Sequence, residues 1–198
     1  MSRVVTVRHA VSLVCSAMLL VGAPTPARAA SALVTVRLVF DSCAGCRVTA
    51  MHGILGADNR IIDDRTWTVT VRSGVASFRV PTKATVGMAF TVADGWYGAW
   101  QGGNAMPVIG LAYEGSARGS KLGTSVVRKR GQRANWCWAG TTTSATIVVH
   151  SLRTTEKTTM AYENPRQVSF WAYPTVATWH NATNWHGGMG TQDRPWCR

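Results

Sequence analysis

The sequence predicts an all-β protein, an immunoglobulin-like two-sheet β-sandwich with an aromatic-rich C-terminal extension. Two observations support this fold class. Seven or eight short segments alternate apolar and polar residues, which is the period of half-buried strands. Turns rich in Gly and Pro separate these segments, and no convincing amphipathic helix interrupts them. Because a sheet with one apolar face must bury it against another layer, we expect two sheets packed face to face.

The N-terminus predicts export and a single folded domain. Residues 1–29 combine basic Arg3 and Arg8, an apolar run and a final Ala27-Arg28-Ala29, the order found in secretory signal peptides. The apolar run of about thirteen residues is shorter than the roughly 20 that a membrane helix needs, so no membrane span is expected. We expect a secreted, extracellular protein with a β-sandwich over 30–155. Residues 156–198 would add a C-terminal strand and a disulfide-tethered extension of that domain.

Removal of the signal peptide leaves four cysteines, Cys43, Cys46, Cys137 and Cys197. An even number in an exported chain indicates two disulfides, with three connectivities open. We favour Cys43–Cys46, because the ends of a tight turn lie within disulfide distance. Cys137–Cys197 would then hold the C-terminal tail. A zinc site would need a second ligand pair, and a redox motif would open a helix, so neither is expected.

The strands are predicted in chain order by their alternation. Residues 33–40 and 47–50 are expected to form a hairpin around the Cys43–Cys46 turn. The stretch 51–66 is rich in Gly, Asn and Asp and is expected to be a loop, with room for a short strand at its centre. A second hairpin is predicted around Ser73-Gly74. Further strands are predicted over 86–93, 107–113, 143–152 and 167–173. Cys137, between Trp136 and Trp138, is expected to face the core.

The chain is basic, with a formal net charge of +12, and the part after residue 29 holds eighteen basic against nine acidic residues. Such a surface attracts anionic polymers or acidic proteins through a salt-screened field. Nucleic acid is not an expected partner outside the cell. The acid-light stretch that contains Arg128, Lys129 and Arg130 leaves two interpretations open. It is either a solvated loop with an edge strand at Ser125–Lys129, or a site for an anion or acidic partner.

Aromatic residues in Gly- and Asn-rich surroundings are the other candidate contacts. They are Trp96, Tyr97 and Trp100 in one loop, and Trp179, His180, Trp185, His186 and Trp196 in the tail. Aromatic rings in such loops offer rigid contact area to sugars or proteins. Packing against the core is the equally supported alternative for each of them.

Catalytic and metal sites find little support. His180, His186 and Asp193 lack the fixed scaffold of a three-ligand metal site. The run His186–Gly190 is similar to an oxyanion loop, but no nucleophile elbow accompanies it. Asp63 and Asp64 are adjacent on an extended chain and therefore point apart, unlike a pair of glycosidase carboxylates. We expect no enzyme activity, no metal and no cofactor.

Two segments carry a resemblance to known proteins. TVRLVFDSCAGCRVT, near the start of the mature chain, and the later NWCWAGTTTSATIVV follow a signal peptide. Together they resemble small exported actinobacterial sandwich proteins, in particular the adaptor (B) component of umbrella toxin particles, over most of residues 33–151. The resemblance implies an immunoglobulin-like adaptor that joins a lectin component to a large polymorphic toxin through an N-terminal segment.

Two functional hypotheses follow. The first is a secreted, non-enzymatic binding or adaptor module that holds larger secreted proteins through sheet edges and aromatic or basic loops. It would link components of an extracellular toxin particle used in interbacterial competition. The second is a basic cell-surface protein that binds wall polymers or glycans on its own.

Overall fold

The computed structural model describes residues 32–93, 107–129, 132–154, 167–180, 185–187 and 196–197. The signal peptide predicted over 1–29 lies outside this part. The described secondary structure is almost all β, apart from a 3₁₀ turn at Thr82–Thr85 and one short helix, α1 (Thr124–Arg128). The strands are β1 (Leu33–Phe40), β2 (Arg47–Leu55), β3 (Ile61–Thr70), β4 (Val75–Pro81), β5 (Met88–Ala93), β6 (Ile109–Gly110), β7 (Ala112–Tyr113), β8 (Arg133–Asn135), β9 (Ala145–Thr154), β10 (Gln167–Ala172) and β11 (Trp185–Gly187).

The strands form three sheets. Sheet I has five strands in the order β4-β1-β9-β10-β6, sheet II has three in the order β3-β2-β5, and sheet III has three in the order β11-β8-β7. Sheet II is antiparallel, whereas sheet I is mixed, because β1 runs parallel to β9 and β10 runs parallel to β6. The all-β sandwich is confirmed, and the immunoglobulin-like type stays a prediction.

The main core lies between sheets I and II and follows the predicted alternation. Its members come from every second position of the strands, and they include Val36, Leu38 and Phe40 from β1, Ile147 and Val149 from β9, and Met88, Phe90 and Val92 from β5. Side chains between these positions point away from the core. The alternation that predicts these strands therefore also gives the faces that they bury in the core.

The predicted hairpin at the first cysteine pair is wrong. β1 pairs with β4 and β9, whereas β2 pairs with β3 and β5. The chain therefore crosses from sheet I to sheet II between residues 41 and 46. The Cys43–Cys46 disulfide, with a Cα–Cα distance of 5.5 Å, closes this crossing and not a hairpin turn.

The second predicted hairpin, around Ser73-Gly74, forms the predicted tight turn, but its two strands do not pair beyond that turn. Ser73 and Gly74 have φ values of +48° and +75°, as a tight turn of this kind requires. Only Arg72 and Val75 pair across it, and β3 and β4 then enter different sheets. The hairpin that does form joins β2 and β3 through residues 56–60, inside the stretch predicted to be a loop.

Two smaller predictions also change. Residues 125–129 form the end of α1 and the residue after it, not an edge strand, because Val127 turns inward to pack with Tyr113 and Trp171. The strand predicted over 107–113 is divided into β6 and β7.

Two further clusters cover parts of the outer faces of the sandwich. One packs Trp136, Cys137 and Cys197 against Ala89 of β5 and Val108, on the outside of sheet II. The other packs Tyr113, Val127, Ala134 and Trp171 on the outside of β10. Cys137 is buried as predicted, but it faces the cluster outside sheet II, while its neighbour Trp138 faces the main core. Side chains on the outside of β4, β1 and the first part of β9 have no such cover among the described residues, whereas Leu152, farther along β9, packs against the second cluster.

Candidate functional site

The predicted binding residues fall into described and undescribed groups. Trp96, Tyr97, Trp100 and Arg130 lie outside the described residues. Arg128 and Lys129 lie at the end of α1, where both are exposed and neither pairs with a described carboxylate. The basic stretch is therefore available to solvent at these two positions, as both interpretations of it require.

The aromatic tail contributes packing as well as exposed rings. Trp179 is half-buried, and its six-membered ring lies over Gly87 and beside Cys197. His180 is exposed, has a φ of +49°, and contacts the Trp179 ring at 4.1 Å between centroids. The backbone of Trp185 and His186 forms β11, which pairs with Asn135 and Ala134 of β8.

Both predicted disulfides are confirmed. Cys137 and Cys197 are joined across 60 residues of sequence and are fully buried. The amide and carbonyl of Cys197 bond to Gly53 and Leu55 of β2, so the tail continues sheet II beside this strand. The neighbouring Trp196 packs directly on Gly53, where any Cβ would lie 2.2 Å from the ring. This cystine therefore joins the C-terminal tail to the sandwich.

A polar cluster that sequence reasoning missed lies where β1 ends beside β9. Asp41 Oδ2 lies 2.9 Å from Nδ1 of His150, and Asp41 Oδ1 accepts a hydrogen bond of 3.1 Å from Ser151 Oγ. The imidazole stacks on Trp171 at 5.7 Å and meets the edge of Tyr173 at 4.2 Å. About a third of the His150 side chain remains exposed.

This arrangement orients an imidazole but provides no nucleophile. A carboxylate at Nδ1 fixes the tautomer in which Nε2 of the neutral ring accepts hydrogen bonds. Ser151 binds to Asp41 and not to His150, which is the wrong connectivity for an acyl-transfer triad. The cluster can therefore accept a hydrogen bond from a partner, and it holds the ends of β1 and β9 together.

A second polar cluster lies inside the end of sheet II. His52 is 2 % exposed and bonds through Nε2 to Asp63 Oδ2 at 3.2 Å, and Asp63 also pairs with Arg65 at 3.2 Å. Asp64 lies on the opposite face of β3 and is exposed. The two adjacent carboxylates therefore point apart, as expected for neighbours on an extended strand.

The edges of the two main sheets differ between the two sides of the sandwich. On one side, Thr91 of β5 bridges Val108, next to β6, which joins sheet II to sheet I. On the other side, β3 and β4 are edge strands with no second partner in the described part. β3 begins with Ile61 and Ile62, which are 47 % and 66 % exposed.

The uncovered outer side of β4, β1 and the first part of β9, up to Val148, is here called the open face and presents ordered rows of side chains. The register places Val75 and Val148 on either side of Val39, and Ser77 and Thr146 on either side of Arg37. Arg37, Ser77 and Thr146 are exposed, as is Val148 at 38 %. The open face thus combines an aliphatic row with a polar, positively charged one.

Comparisons with known proteins do not assign this site. No family model, no curated protein and no solved structure matches the chain. Within the described ranges, no group of three His, Cys, Asp or Glu side chains is arranged to hold a metal ion. No helix of the described part is long and apolar enough to cross a membrane.

The sequence contains weak signals for the residues that were missed. Asp41 directly follows a predicted strand, and His150 occupies an outward position of another. Because Asp41 lies 110 residues before Ser151, only the parallel pairing of β1 and β9 brings them together. The edge position of β3 has no sequence signal apart from its adjacent isoleucines.

Proposed function

We propose that this chain is a secreted, non-enzymatic adaptor module that holds a larger secreted protein by strand addition at β3. One observation carries the proposal: β3 is a ten-residue edge strand with no second partner in the described part. In strand addition, main-chain hydrogen bonds supply affinity, and the side chains along the edge supply specificity.

The side chains of β3 suit a selective partner. Edge strands commonly carry charges that prevent unwanted pairing, and on β3 the charges are confined to residues 63–65. Exposed Ile61 and Ile62 precede them, and exposed threonines at 66, 68 and 70 follow. A partner strand with an opposite charge pattern would pair in one register, whereas a second β3 in parallel, in-register pairing would bring like charges together.

The resemblance to umbrella toxin adaptors extends this proposal. If the likeness in residues 33–151 reflects a shared role, the partners are a lectin and a polymorphic toxin, and the complex acts in interbacterial competition. The two disulfides and the predicted signal peptide support assembly outside the cell.

Affinity purification with the mature protein as bait tests the proposal. The tagged chain is incubated with culture supernatant of the producing cells, and co-purifying proteins are identified by mass spectrometry. Hydrogen exchange on the recovered complex should then show slower exchange for the amides of 61–70. Ile62→Lys should weaken recovery of the partner at least about tenfold, since it places a solvated charge in the contact.

Thr124→Lys is the matched control, because it adds the same charge at an exposed position of α1. It should leave recovery unchanged. A chain that stays alone and monomeric in the supernatant contradicts the adaptor role. Slower exchange confined to strands other than β3 contradicts the proposed mode of binding.

Binding to wall polymers or glycans is a second candidate, favoured by the exposed Arg128 and Lys129, which form no ion pair with a described carboxylate. Retention on isolated cell walls should fall as salt rises, and Arg128→Ala and Trp185→Ala should reduce it. Unchanged retention in both variants would remove this candidate.

A further inference from the structure

The open face provides a second surface, separate from the β3 edge. Arg37 and Arg79 project outward from neighbouring strands, on Cα positions that pair with Ser77 and Thr35. Arg72 lies opposite Val75 at the turn that leads into β4. All three arginines are exposed, and none forms an ion pair with a described residue. The carboxylate at this end of the sheet, Asp41, is already bound by His150 and Ser151.

The aliphatic row crosses the same face. Val75, Val39 and Val148 lie side by side on three adjacent strands, and Val148 is 38 % exposed. The amide of Tyr173 bonds to the carbonyl of Val148, so Tyr173 follows the row at its far end. The open face therefore places an aliphatic row beside arginines that form no ion pair with a described residue.

We infer that the open face binds an acidic polypeptide segment that also carries aliphatic side chains. The arginines complement carboxylates, which favours a negatively charged partner. The valines contribute through burial of apolar surface, which a polyphosphate or an uncharged glycan does not provide. The combination therefore favours a polypeptide over a wall polymer.

The size of the face favours a segment over a second copy of this chain. Three strands about 4.8 Å apart and seven residues long give a face of about 15 by 23 Å, or roughly 350 Å². A stable dimer buries about 800 Å² on each partner. A second copy would also bring its own arginines, and the chain as a whole is strongly basic.

This inference rests on the proposed adaptor role and gives the adaptor a second contact, since an adaptor must hold two partners at once. β3 would hold one partner by its backbone edge. The open face would hold an acidic segment by its side chains. The two surfaces belong to different sheets and can be altered one at a time.

The test uses a synthetic peptide of alternating glutamate and valine as the probe, with the full mature chain and fluorescence anisotropy as the readout. Poly-glutamate, inorganic polyphosphate and a lysine–valine peptide are the comparison ligands. We expect the glutamate–valine peptide to bind more tightly than the other three. Arg37→Gln and Arg79→Gln should each weaken binding about threefold, and Val148→Ser should weaken it by a similar factor.

Arg47→Gln is the matched control, because Arg47 is exposed but belongs to sheet II. It should leave peptide affinity unchanged, and circular dichroism should confirm that every variant is folded. Two results would overturn the inference: no binding of the glutamate–valine peptide, or equal binding of polyphosphate with no effect of Val148→Ser. The second result would assign the face to general attraction of anions.

The β3 variant distinguishes this inference from the proposed function. Ile62→Lys should leave affinity for the peptide unchanged while it reduces recovery of the secreted partner. If the peptide does not bind but Ile62→Lys still abolishes partner recovery, the open-face inference fails and the adaptor proposal stands. If the peptide binds and no secreted partner is recovered, the adaptor proposal fails.

Discussion

The outer faces of sheets I and II start from the same alternating pattern but end in different surroundings. Outward residues of β5, such as Ala89 and Thr91, are at most 1 % exposed, because the cluster with the Cys137–Cys197 bond lies over them. Outward residues of β1 and β9, such as Arg37 and Thr146, are exposed. Thr91 is buried and Thr146 is exposed although they are the same residue type. Alternation thus predicts which residues leave the core, but it does not indicate whether another layer covers them.

The comparison implies that the covered face contributes to stability and the open face to binding. Gly53 illustrates the first half of this statement, because the absence of a side chain lets Trp196 lie on the strand. The arginines of the open face illustrate the second half. Four measurements, in order of decreasing effect, test this division.

Removal of the long-range disulfide should have the largest effect. In the chain-entropy model, closing a loop across a separation of 60 residues stabilises the fold by about 4 kcal/mol. We therefore expect Cys137→Ala with Cys197→Ala to lower the free energy of unfolding by about that amount in urea titrations. Cys43→Ala with Cys46→Ala is the control, where a separation of three predicts a loss of about 2 kcal/mol. Equal losses in the free energy of unfolding would show that the Cys137–Cys197 disulfide stabilises the fold no more than the Cys43–Cys46 disulfide does.

Gly53→Ala should have the next largest effect. The new Cβ would lie 2.2 Å from Cε3 of Trp196, so the indole must move off the strand. We expect a loss of about 1 to 3 kcal/mol in the free energy of unfolding, as overpacked sites show. Gly123→Ala is the control, because its Cβ would meet only Ser125 Oγ at 4.0 Å, and its loss should be limited to the roughly 0.5 to 1 kcal/mol of a weakened N-cap of α1. A Gly53→Ala variant as stable as the parent would mean that the packing of Trp196 on Gly53 does not stabilise the fold.

Tyr113→Phe tests the cover over β10. Burial raises the pKa of Tyr113 above its ordinary value near 10 in the folded chain. Above about pH 10 the unfolded chain therefore binds fewer protons than the folded chain, and the free energy of unfolding falls as pH rises. The phenylalanine variant lacks this group, so its stability should fall less, by up to about 1.4 kcal/mol for each pH unit above 10.

At neutral pH, Tyr113→Phe should change stability by less than about 1 kcal/mol, because the hydroxyl has no hydrogen-bond partner among the described residues. Urea unfolding of both proteins at pH 7 and pH 11 measures the difference. If the free energy of unfolding fell by the same amount in both proteins between pH 7 and pH 11, water would have to reach the Tyr113 hydroxyl in the folded chain.

Substitutions on the open face should have the smallest effect on stability. Arg37→Gln and Val148→Ser remove exposed groups that contact little of the core, so each should change the free energy of unfolding by less than about 0.5 kcal/mol. Thermal and urea unfolding would detect a larger change. A loss above about 1 kcal/mol in either variant would assign these residues to folding, not to binding.

The sequence alone determined the all-β class, the inward faces of the strands and the two disulfides. The faces follow from a period of two, which is a local property of each strand. The disulfides follow from an even number of cysteines and from the short spacing of Cys43 and Cys46. Of the candidate contact residues, Arg128 and Lys129 are exposed, as their charge predicts. The sequence does not distinguish the packed position of Trp179 from an exposed one.

Only the tertiary structure decided which strands pair. A period of two identifies a strand's face but not its neighbour, so the segments flanking Cys43–Cys46 and Ser73-Gly74 read as hairpins although each crosses between sheets. The β2–β3 hairpin is predicted as a loop because the turn-forming residues Gly56, Asp58 and Asn59 dominate the pattern of this stretch. The Asp41–His150 contact, the free edge of β3 and the open face all depend on pairing between distant strands. Such pairing reflects the burial of whole faces, which no local pattern encodes.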